Sequence, residues 1–324
     1  MVYIDSWERA TGYDDETTLD GVACYLFGEK AQKQEVTNVN YKLQMHEAHK
    51  MGQFYPTVTA GNRTIDQMIS TFYPVNGILF WDMYGKATHT VADTTQTIVN
   101  MTTTEGQKSK KKAFQQWDAD RAVDLFGLVT SRIKLEYGAQ GSLTAQQTFM
   151  GCKNAASSAT PNAATLPDDS SNNPVTGVFN VFDSWTWNST PMEKPISFAM
   201  EAQQSLTPYM KGGGSYYAEI SEHNPVVTGF VAGVSGTTGL GAVGDTELWD
   251  DMWAGTKRTL TWKMLKGTDV TQNFEVTATN TLCHSLNPIR NSGEPLGWTG
   301  IFTCENVSIV VTDSVDDDFY TIKT

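Results

Sequence analysis

A short pattern of Leu, Trp and Met occurs twice in this 324-residue chain and constrains its fold more than any other feature. The first copy is Leu79-Phe80-Trp81-Asp82-Met83 and the second is Leu260-Thr261-Trp262-Lys263-Met264, at an offset of 181 residues (260 − 79). Each copy follows a segment with the apolar spacing of a short amphipathic helix. Because repeats at a fixed offset mark repeated architecture, the pattern predicts a tandem duplication. The alternative is two unrelated strands that each bury a Trp.

The same offset aligns large apolar side chains in the segments upstream. Met68 and Phe72 fall opposite Trp249 and Trp253. The predicted core of the repeat therefore comprises Met68, Phe72, Leu79, Trp81, Met83, Trp249, Trp253, Leu260, Trp262 and Met264. A chain of this length has room for two domains of about 150 residues, each with its own core.

Alternation of apolar and polar residues predicts β-strands in both halves. Val129–Tyr137 and Leu143–Phe149 alternate on either side of a glycine-bounded turn, which indicates a hairpin. In the second half, Leu260–Met264 and Phe274–Ala278 alternate around a turn at residues 266–269. Both halves are therefore expected to contain antiparallel hairpins.

One helix is predicted in each half. Thr64–Phe72 has apolar residues on one helical face behind a Thr64/Gln67 capping box. Asp245–Ala254 carries two Trp on one side and is followed by Gly255 at its C′ position. The remaining composition, with 27 Gly and only 18% charged residues, is typical of β-rich chains. The expected fold is mainly β: two tandem β-sandwich or partial-barrel domains, each with a flanking short α-helix.

Composition also predicts the domain boundaries. The segment near residue 160 is rich in Ala, Ser, Asn, Asp and Pro and cannot bury enough apolar surface to offset the entropy of ordering it. The predicted organisation is an N-terminal arm at 1–19 that only a partner orders, domain 1 at 20–152, a linker or long loop at 153–177, domain 2 at 178–311 and a C-terminal tail at 312–324.

No catalytic or cofactor motif is recognisable, so we expect no enzyme activity, cofactor or metal. His46-Glu47-Ala48-His49 has its histidines at i and i+3, whereas a zinc protease needs them at i and i+4 of a helix. Gly236–Gly244 is not followed by the Lys of a P-loop. The four Cys are widely spaced and form no metal-binding motif.

The charge balance limits the partners. A net charge of −13 disfavours a protein that grips DNA, because that affinity depends on neutralising phosphates. The first residues lack the basic and apolar regions of a signal peptide, and no apolar run has the length of a membrane span. We therefore expect synthesis in a cytosol and no membrane partner.

Several segments resemble the major tail tube proteins of long-tailed, siphovirus-like viruses of bacteria and archaea. The hairpin of Phe126–Tyr137 and Gly141–Gly151 is similar to that family. So are Phe72–Asn76 ahead of Ile78–Trp81, and the β pattern that one helix interrupts in each half. The resemblance is one of pattern and order over about residues 20–311.

The resemblance implies subunits that assemble edge to edge, so that their strands continue into a closed inner barrel. Such rings stack into a hollow tube through which the viral genome passes. Duplicated family members reach a pseudo-six-fold ring with three chains, so we expect trimeric rings, with hexameric rings as the second choice. The implied partners are further copies of the chain, other tail proteins at the tube ends, and DNA that slides past an acidic lining. The implied location is the virion tail, after assembly in the host cytoplasm.

Two other classes of protein remain open at this point. The richness in Trp, Asn and Thr is also compatible with an extracellular carbohydrate-binding β-sandwich protein. A hydrolase is the third possibility, with its carboxylates within Asp245-Thr246-Glu247. Rings or tubes in electron micrographs separate the assembly protein from both.

Overall fold

The computed structural model describes residues 9–15, 25–26, 33–48, 57–74, 86–90, 95–100, 112–118, 121–138, 141–157, 179–192, 195–210, 217–235, 243–289 and 297–312. As predicted, this part of the chain is mainly β, with antiparallel strands and one helix. The strands of the first half are β1 (Arg9–Asp15), β2 (Tyr25–Leu26), β3 (Lys33–Ala48), β4 (Thr57–Tyr73), β5 (Lys86–Thr90), β6 (Thr95–Asn100), β7 (Lys112–Asp118), β8 (Arg121–Gly138), β9 (Thr144–Gly151) and β10 (Lys153–Ser157). The second half contains β11 (Phe179–Trp187), β12 (Thr190–Pro191), β13 (Pro195–Met210), β14 (Tyr217–Ser235), α1 (Val243–Ala254), β15 (Arg258–Lys266), β16 (Asp269–Ile289), β17 (Gly297–Cys304) and β18 (Asn306–Thr312).

The strands form three antiparallel sheets that share β8 and β16. Sheet I has the order β2-β1-β7-β8-β10. Sheet II, the longest, has the order β3-β4-β9-β8-β13-β14-β17-β16. Sheet III has the order β12-β11-β15-β16-β18-β6-β5. β8 passes from sheet I into sheet II along its length, and β16 passes in the same way from sheet III into sheet II.

The strands of the two halves have corresponding partners. In the first half, β1 pairs with β2 and β7, β7 with β8, and β8 with both β9 and β10. In the second half, β11 pairs with β12 and β15, β15 with β16, and β16 with both β17 and β18. The long hairpin β3–β4 joins through β9, and β13–β14 joins through β17. We call residues 9–157 module 1 and residues 179–312 module 2.

The registers agree residue by residue as well. In module 1, Val129 pairs with Met150, and a one-residue irregularity follows the next pair. In module 2, Leu282 pairs with Thr303, and the irregularity follows at the same place. Leu282 and Thr303 each lie 153 positions after their counterparts Val129 and Met150 (282 − 129 and 303 − 150). A shared bulge at a constant offset indicates one structural unit present twice, because bulges are specific features of a fold.

The two modules differ in the segment after the long hairpin. Among the described residues, module 1 inserts the hairpin β5–β6 before β7, whereas module 2 inserts α1 before β15. β6 does not pair with the other described strands of module 1 outside this hairpin but with β18 of module 2. Sheets II and III therefore both contain strands from the two modules, and the modules interlock.

Each module changes sheet at a residue with positive φ. Gly127 (φ 63°) lies where β8 leaves sheet I, and Asn280 (φ 52°) lies where β16 leaves sheet III, again 153 positions later (280 − 127). Gly adopts this left-handed region without steric cost, and Asn is among the side chains that tolerate it best. Asn280 Nδ2 also donates to Glu305 Oε2 at 2.8 Å, and Lys257 Nζ forms an ion pair with the same carboxylate. These contacts hold the second corner, and the pKa of Glu305 is lowered by them.

We expect Gly127→Ala to lower the free energy of unfolding by about 1–2 kcal/mol, because a Cβ at positive φ strains the backbone. Urea denaturation at equilibrium measures this loss. Gly138→Ala is the matched control, since an added Cβ there meets nothing within 4 Å and Gly138 is not among the positive-φ glycines. Equal losses in the two variants would contradict the role of Gly127 as a corner residue.

Aromatic side chains fill the space between sheets II and III. Tyr137 of β8 and Phe198 of β13 lie against Trp262 of β15, with ring centroids 5.8 and 4.3 Å apart. Trp187 of β11 contacts Phe302 of β17 at 5.7 Å. The two sheets therefore pack face to face as a β-sandwich. Its core joins both modules, because Tyr137 belongs to module 1 and Trp262 to module 2.

The helix predicted at Thr64–Phe72 is wrong, because this segment is the inner part of β4. Met68, Ser70 and Phe72 are buried and alternate with less buried neighbours, which is the two-residue period of a strand. Ile65 is also buried, since the register between β4 and β9 shifts between Ile65 and Met68. This bulge brings residues at i and i+3 to one face and so imitates the spacing of a helix.

The predicted helix of the second half is confirmed as α1. It ends at Gly255, whose φ of 65° is the left-handed conformation expected at C′. The Gly255 amide donates to the Met252 carbonyl at 3.3 Å, and the Thr256 amide donates to the Asp251 carbonyl at 2.8 Å. This pair of hydrogen bonds is the Schellman motif, which satisfies carbonyl groups in the last turn.

The alignment of the repeat at an offset of 181 residues is also wrong. It sets Met68 and Phe72, on a strand, against Trp249 and Trp253, on a helix. By its pairing partners, β15 is instead the counterpart of β7. Any buried strand of a sandwich shows alternating apolar residues, so a short match of this kind does not fix the alignment. The evidence for a duplication comes instead from the corresponding strand pairings of the two modules.

Two described strands lie within segments that the sequence predicts as an arm and a linker. The arm predicted at 1–19 contains β1, which pairs with β7 of its own chain. The linker predicted at 153–177 begins with β10, which pairs with β8. Both strands are rich in polar residues, and ladder hydrogen bonds join each of them to its own chain. Residues 158–178 and 313–324 lie outside the described part of the chain.

Candidate assembly interface

The junction between the modules is a strand pairing in the middle of sheet II. β8 of module 1 pairs antiparallel with β13 of module 2, from Arg132 opposite Gln203 to Gly138 opposite Ser197. We call this pairing the intrachain seam. It shows that the outermost strand of module 1 in sheet II, β8, and the outermost strand of module 2 in this sheet, β13, fit together edge to edge.

One side of the intrachain seam is apolar. Leu135 lies opposite Met200 and Tyr137 opposite Phe198, and all four side chains are buried. They face sheet III, where Trp262 stacks on Phe198 with an interplanar angle of 8°. Burial of this side supplies the hydrophobic stabilisation of the junction.

The other side of the intrachain seam is polar. Arg132 Nη2 donates to Glu201 Oε2 at 2.6 Å, and this hydrogen bond raises the pKa of Arg132. Gln204 Nε2 donates to the Thr130 carbonyl oxygen at 2.7 Å. Cross-strand contacts of this kind fix the register of two strands.

Both edges of sheet II are unpaired among the described residues. At one edge, β3 pairs only with β4. At the other, the second part of β16, residues 282–289, pairs only with β17. An edge strand presents a row of free N–H and C=O groups, which is a template for pairing with another chain.

The intrachain seam defines a register for these two edges. Residues of β16 lie 153 positions after their counterparts in β8. Residues of β13 lie 161 positions after their counterparts in β3, because Val36 and Ser197 each follow the first irregularity of their long hairpin (197 − 36). The counterparts of Arg132 and Gln203 are therefore Ser285 and Lys42. The seam repeated between two chains places residues 285–289 of one copy antiparallel to residues 38–42 of the next.

At this edge, β16 resembles its counterpart β8 in which side chains are buried and which are exposed. Leu286, the counterpart of Ile133, is partly buried against the core, and Asn287, the counterpart of Lys134, is exposed. Pro288 is the exception, because it has no N–H to donate and takes one hydrogen bond out of the ladder. The neighbouring residues of the edge retain both of their backbone groups.

The carboxylates of α1 have structural partners. Asp251 is only 5% exposed, and its Oδ2 accepts from Trp187 Nε1 at 2.8 Å and from Arg258 Nε at 2.9 Å. Glu247, one turn earlier, accepts from Asn188 Nδ2 at 2.8 Å and Thr190 Oγ1 at 2.9 Å. The two side chains fasten α1 to the turn between β11 and β12. Glu247, the carboxylate that a hydrolase would need here, is thus occupied by this turn.

Three further observations bear on other kinds of site. In the described ranges, no group of three His, Cys, Asp or Glu side chains is placed to hold a metal ion. Burial raises the pKa of Cys283 to about 11, so this thiol is not a reactive nucleophile at neutral pH. Across the same ranges, no helix is both long and apolar enough to cross a lipid bilayer.

The residues predicted as the repeat core are brought together only in part. Met68 and Phe72 are buried on β4, and Leu260, Trp262 and Met264 are fully buried on β15. On α1, Trp249 is partly exposed and Trp253 is 73% exposed, so Trp253 is not a core residue. Leu79, Trp81 and Met83 lie outside the described residues.

The two edges were not singled out by the sequence. An edge strand differs from a central strand in its neighbours, not in its own apolar pattern, so periodicity cannot distinguish them. The features that align the two modules are the shared bulge and the corner residues Gly127 and Asn280. No protein-family model matches this chain, and no curated protein is significantly similar to it in sequence.

Proposed function

We propose that this protein is the structural subunit of a viral tail tube, whose copies close into rings and stack into a hollow conduit for the genome. The observation that carries the proposal is the intrachain seam, together with the two edges of sheet II, which no other described strand covers. A chain that joins module 1 to module 2 by this pairing has the surfaces to join module 2 to module 1 of the next copy. Repetition of this contact closes a ring when each step rotates the chain by a whole fraction of a turn, which is 120° for three chains.

Three chains are the proposed number, because six modules then occupy a pseudo-six-fold ring. Each chain contributes the eight strands of sheet II, so the ring contains 24 strands (3 × 8). At a strand spacing of about 4.8 Å and the usual tilt, the backbone of such a barrel has a diameter of about 45–50 Å. A barrel of this width encloses an aqueous channel that admits duplex DNA.

Stacking of rings needs contacts along the tube axis. Beyond the seam, residues 205–210 of β13 pair only with β14 among the described strands. Tyr209 and Met210 at this end are 49% and 41% exposed. We assign the distal part of this hairpin to contacts with the next ring, and other tail proteins take the same place at the tube ends. In this proposal the protein assembles in the host cytoplasm and functions in the virion tail.

The glycan-binding alternative has less support. Sugar-binding sites use exposed aromatic faces, whereas Trp185, Trp187 and Trp262 are buried in the core. Trp253 is the one Trp of the described residues that ranks among the large exposed hydrophobic side chains. Its neighbour Trp249 is partly exposed and meets it edge to face at 6.1 Å and 68°, so the two rings do not form a flat stacking platform.

Negative-stain electron microscopy and native mass spectrometry of the concentrated protein test the proposal. We expect rings or tubes, and an assembly mass of three times the chain mass of 35.7 kDa. Rings of six whole chains would remove the three-chain arrangement. A protein that stays monomeric at every concentration, with both edges of sheet II covered, would remove the assembly function itself.

A further inference from the structure

The face of sheet II that points away from sheet III is polar. On β8, Arg132, Lys134 and Glu136 alternate with the buried side chains of the core, and on β13 Glu201 does the same. Among the described side chains, the other outward positions of the central strands are neutral and include Thr144, Gln146, Ser197, Ala199, Gln203, Thr299, Ile301 and Thr303. We call this surface the outward face of sheet II.

The charged groups on the outward face are paired with one another. Arg132 pairs with Glu201 at 2.6 Å, and Lys134 Nζ forms an ion pair with Glu136. Among the described side chains of this part of the face, two positive and two negative charges give no net charge. These side chains remain between 30% and 52% exposed, so the pairs are at the surface and not in the core.

The corresponding positions of β16, the module 2 counterpart of β8, carry no charged side chain. The counterparts of Arg132, Lys134 and Glu136 at the constant offset of 153 residues are Ser285, Asn287 and Ile289. The whole chain carries a net charge of −13, so its acidic surplus lies away from these strands. A neutral face on an acidic protein differs from the acidic lining that the sequence led us to expect.

We infer that the outward face of sheet II lines the channel, and that Glu136 and Glu201 mask Arg132 and Lys134 from a passing polyanion. The inference rests on the proposed function. Polyanion affinity comes from release of counterions when cations meet phosphates, and a cation already paired with a carboxylate contributes little to it. The lining therefore neither grips nor strongly repels DNA, and among its described side chains on the central strands hydroxyl and amide groups outnumber the charged groups.

The Glu136→Gln/Glu201→Gln variant tests this masking. Rings of the wild-type protein and of the variant are first imaged by negative stain and are then mixed with a fluorescently labelled duplex oligonucleotide at low salt. We expect the variant rings to retain about tenfold or more DNA than wild-type rings, and to lose it as the salt concentration rises. Both substituted pairs are at the surface, so the variant should fold and should unfold at nearly the same urea concentration as the wild-type protein.

The Asp183→Asn/Glu275→Gln variant is the matched control. It removes the same number of carboxylates beside Lys263, but on the outer surface of sheet III. Equal DNA retention by the control and the test variant would overturn the inference, because the position of the cations would then not matter.

A second variant covers the case in which the first does not assemble. Ser197→Lys/Gln203→Lys adds two cations at exposed positions of the same face without breaking an ion pair. Rings of this variant that retain no DNA would overturn the inference and leave the proposed ring intact. Absence of rings from the wild-type protein, seen before DNA is added, would count against the proposed function and would remove the channel together with it.

Discussion

Non-reducing electrophoresis of an Asn40→Cys/Asn287→Cys variant should show a covalent trimer as its largest product. The proposed register places position 287 of one copy directly opposite position 40 of the next. Cα atoms of directly opposite residues in antiparallel strands lie about 4.5–5.5 Å apart, within the range of about 4.4–6.8 Å that a disulfide spans. Each chain contributes one Cys to each of two contacts, so three disulfides close a ring of three chains.

The native cysteines should not interfere with this experiment. Cys152, Cys283 and Cys304 are buried, and Cys24→Ser removes the remaining native thiol from all variants. The Tyr41→Cys/Asn287→Cys variant is the control, because neighbouring residues of a strand point to opposite faces and its thiols should not meet. Covalent ladders up to six chains would indicate a larger ring. Equal cross-linking in both variants would mean that the edges pair in another register or only collide.

Replacing Trp262 by Ala should lower the free energy of unfolding by about 3–5 kcal/mol. Trp262 is fully buried, stacks on Phe198 and contacts Tyr137, so its loss leaves a cavity where the two modules meet. Its Nε1 has no hydrogen-bond partner in the described structure, and no hydrogen bond is lost with the side chain. Urea denaturation at equilibrium, followed by circular dichroism, measures the effect.

Two further variants separate this packing effect from the general effect of losing a Trp. Trp253→Ala should change stability by no more than about 0.5 kcal/mol, because Trp253 is 73% exposed. Trp262→Phe should recover most of the loss, since an aromatic ring still fills the space between the sheets. A large loss in Trp253→Ala together with a small one in Trp262→Ala would contradict the described packing.

Much of the strand content could be predicted from the sequence. The alternating residues of Val129–Tyr137 and Leu260–Met264 predicted strands because one face of each is buried and the other is not. The end of α1 at Gly255 was also predictable, because few residues other than Gly adopt the left-handed C′ conformation without strain. In each case a local physical requirement determines the residue type.

The rest could not be predicted because it depends on long-range pairing. The bulge beside Met68 gave β4 the apparent spacing of a helix, and only its partner β9 reveals the shift in register. The sequences of β1 and β10 lack a regular alternation of apolar residues, so their pairing is visible only in the ladders they join. The candidate interface was hidden for the same reason, since an unpaired edge is a property of the assembled sheet.

The insertions that distinguish the modules have a consequence for the exterior of the proposed ring. Module 1 sends β5–β6 across to β18, whereas module 2 carries α1 with the protruding indole of Trp253. Around the circumference these two features alternate, so the inner wall approximates six equal sectors while the outer rim repeats only every 120°. A protein that recognises either feature from outside should therefore decorate each ring with three copies.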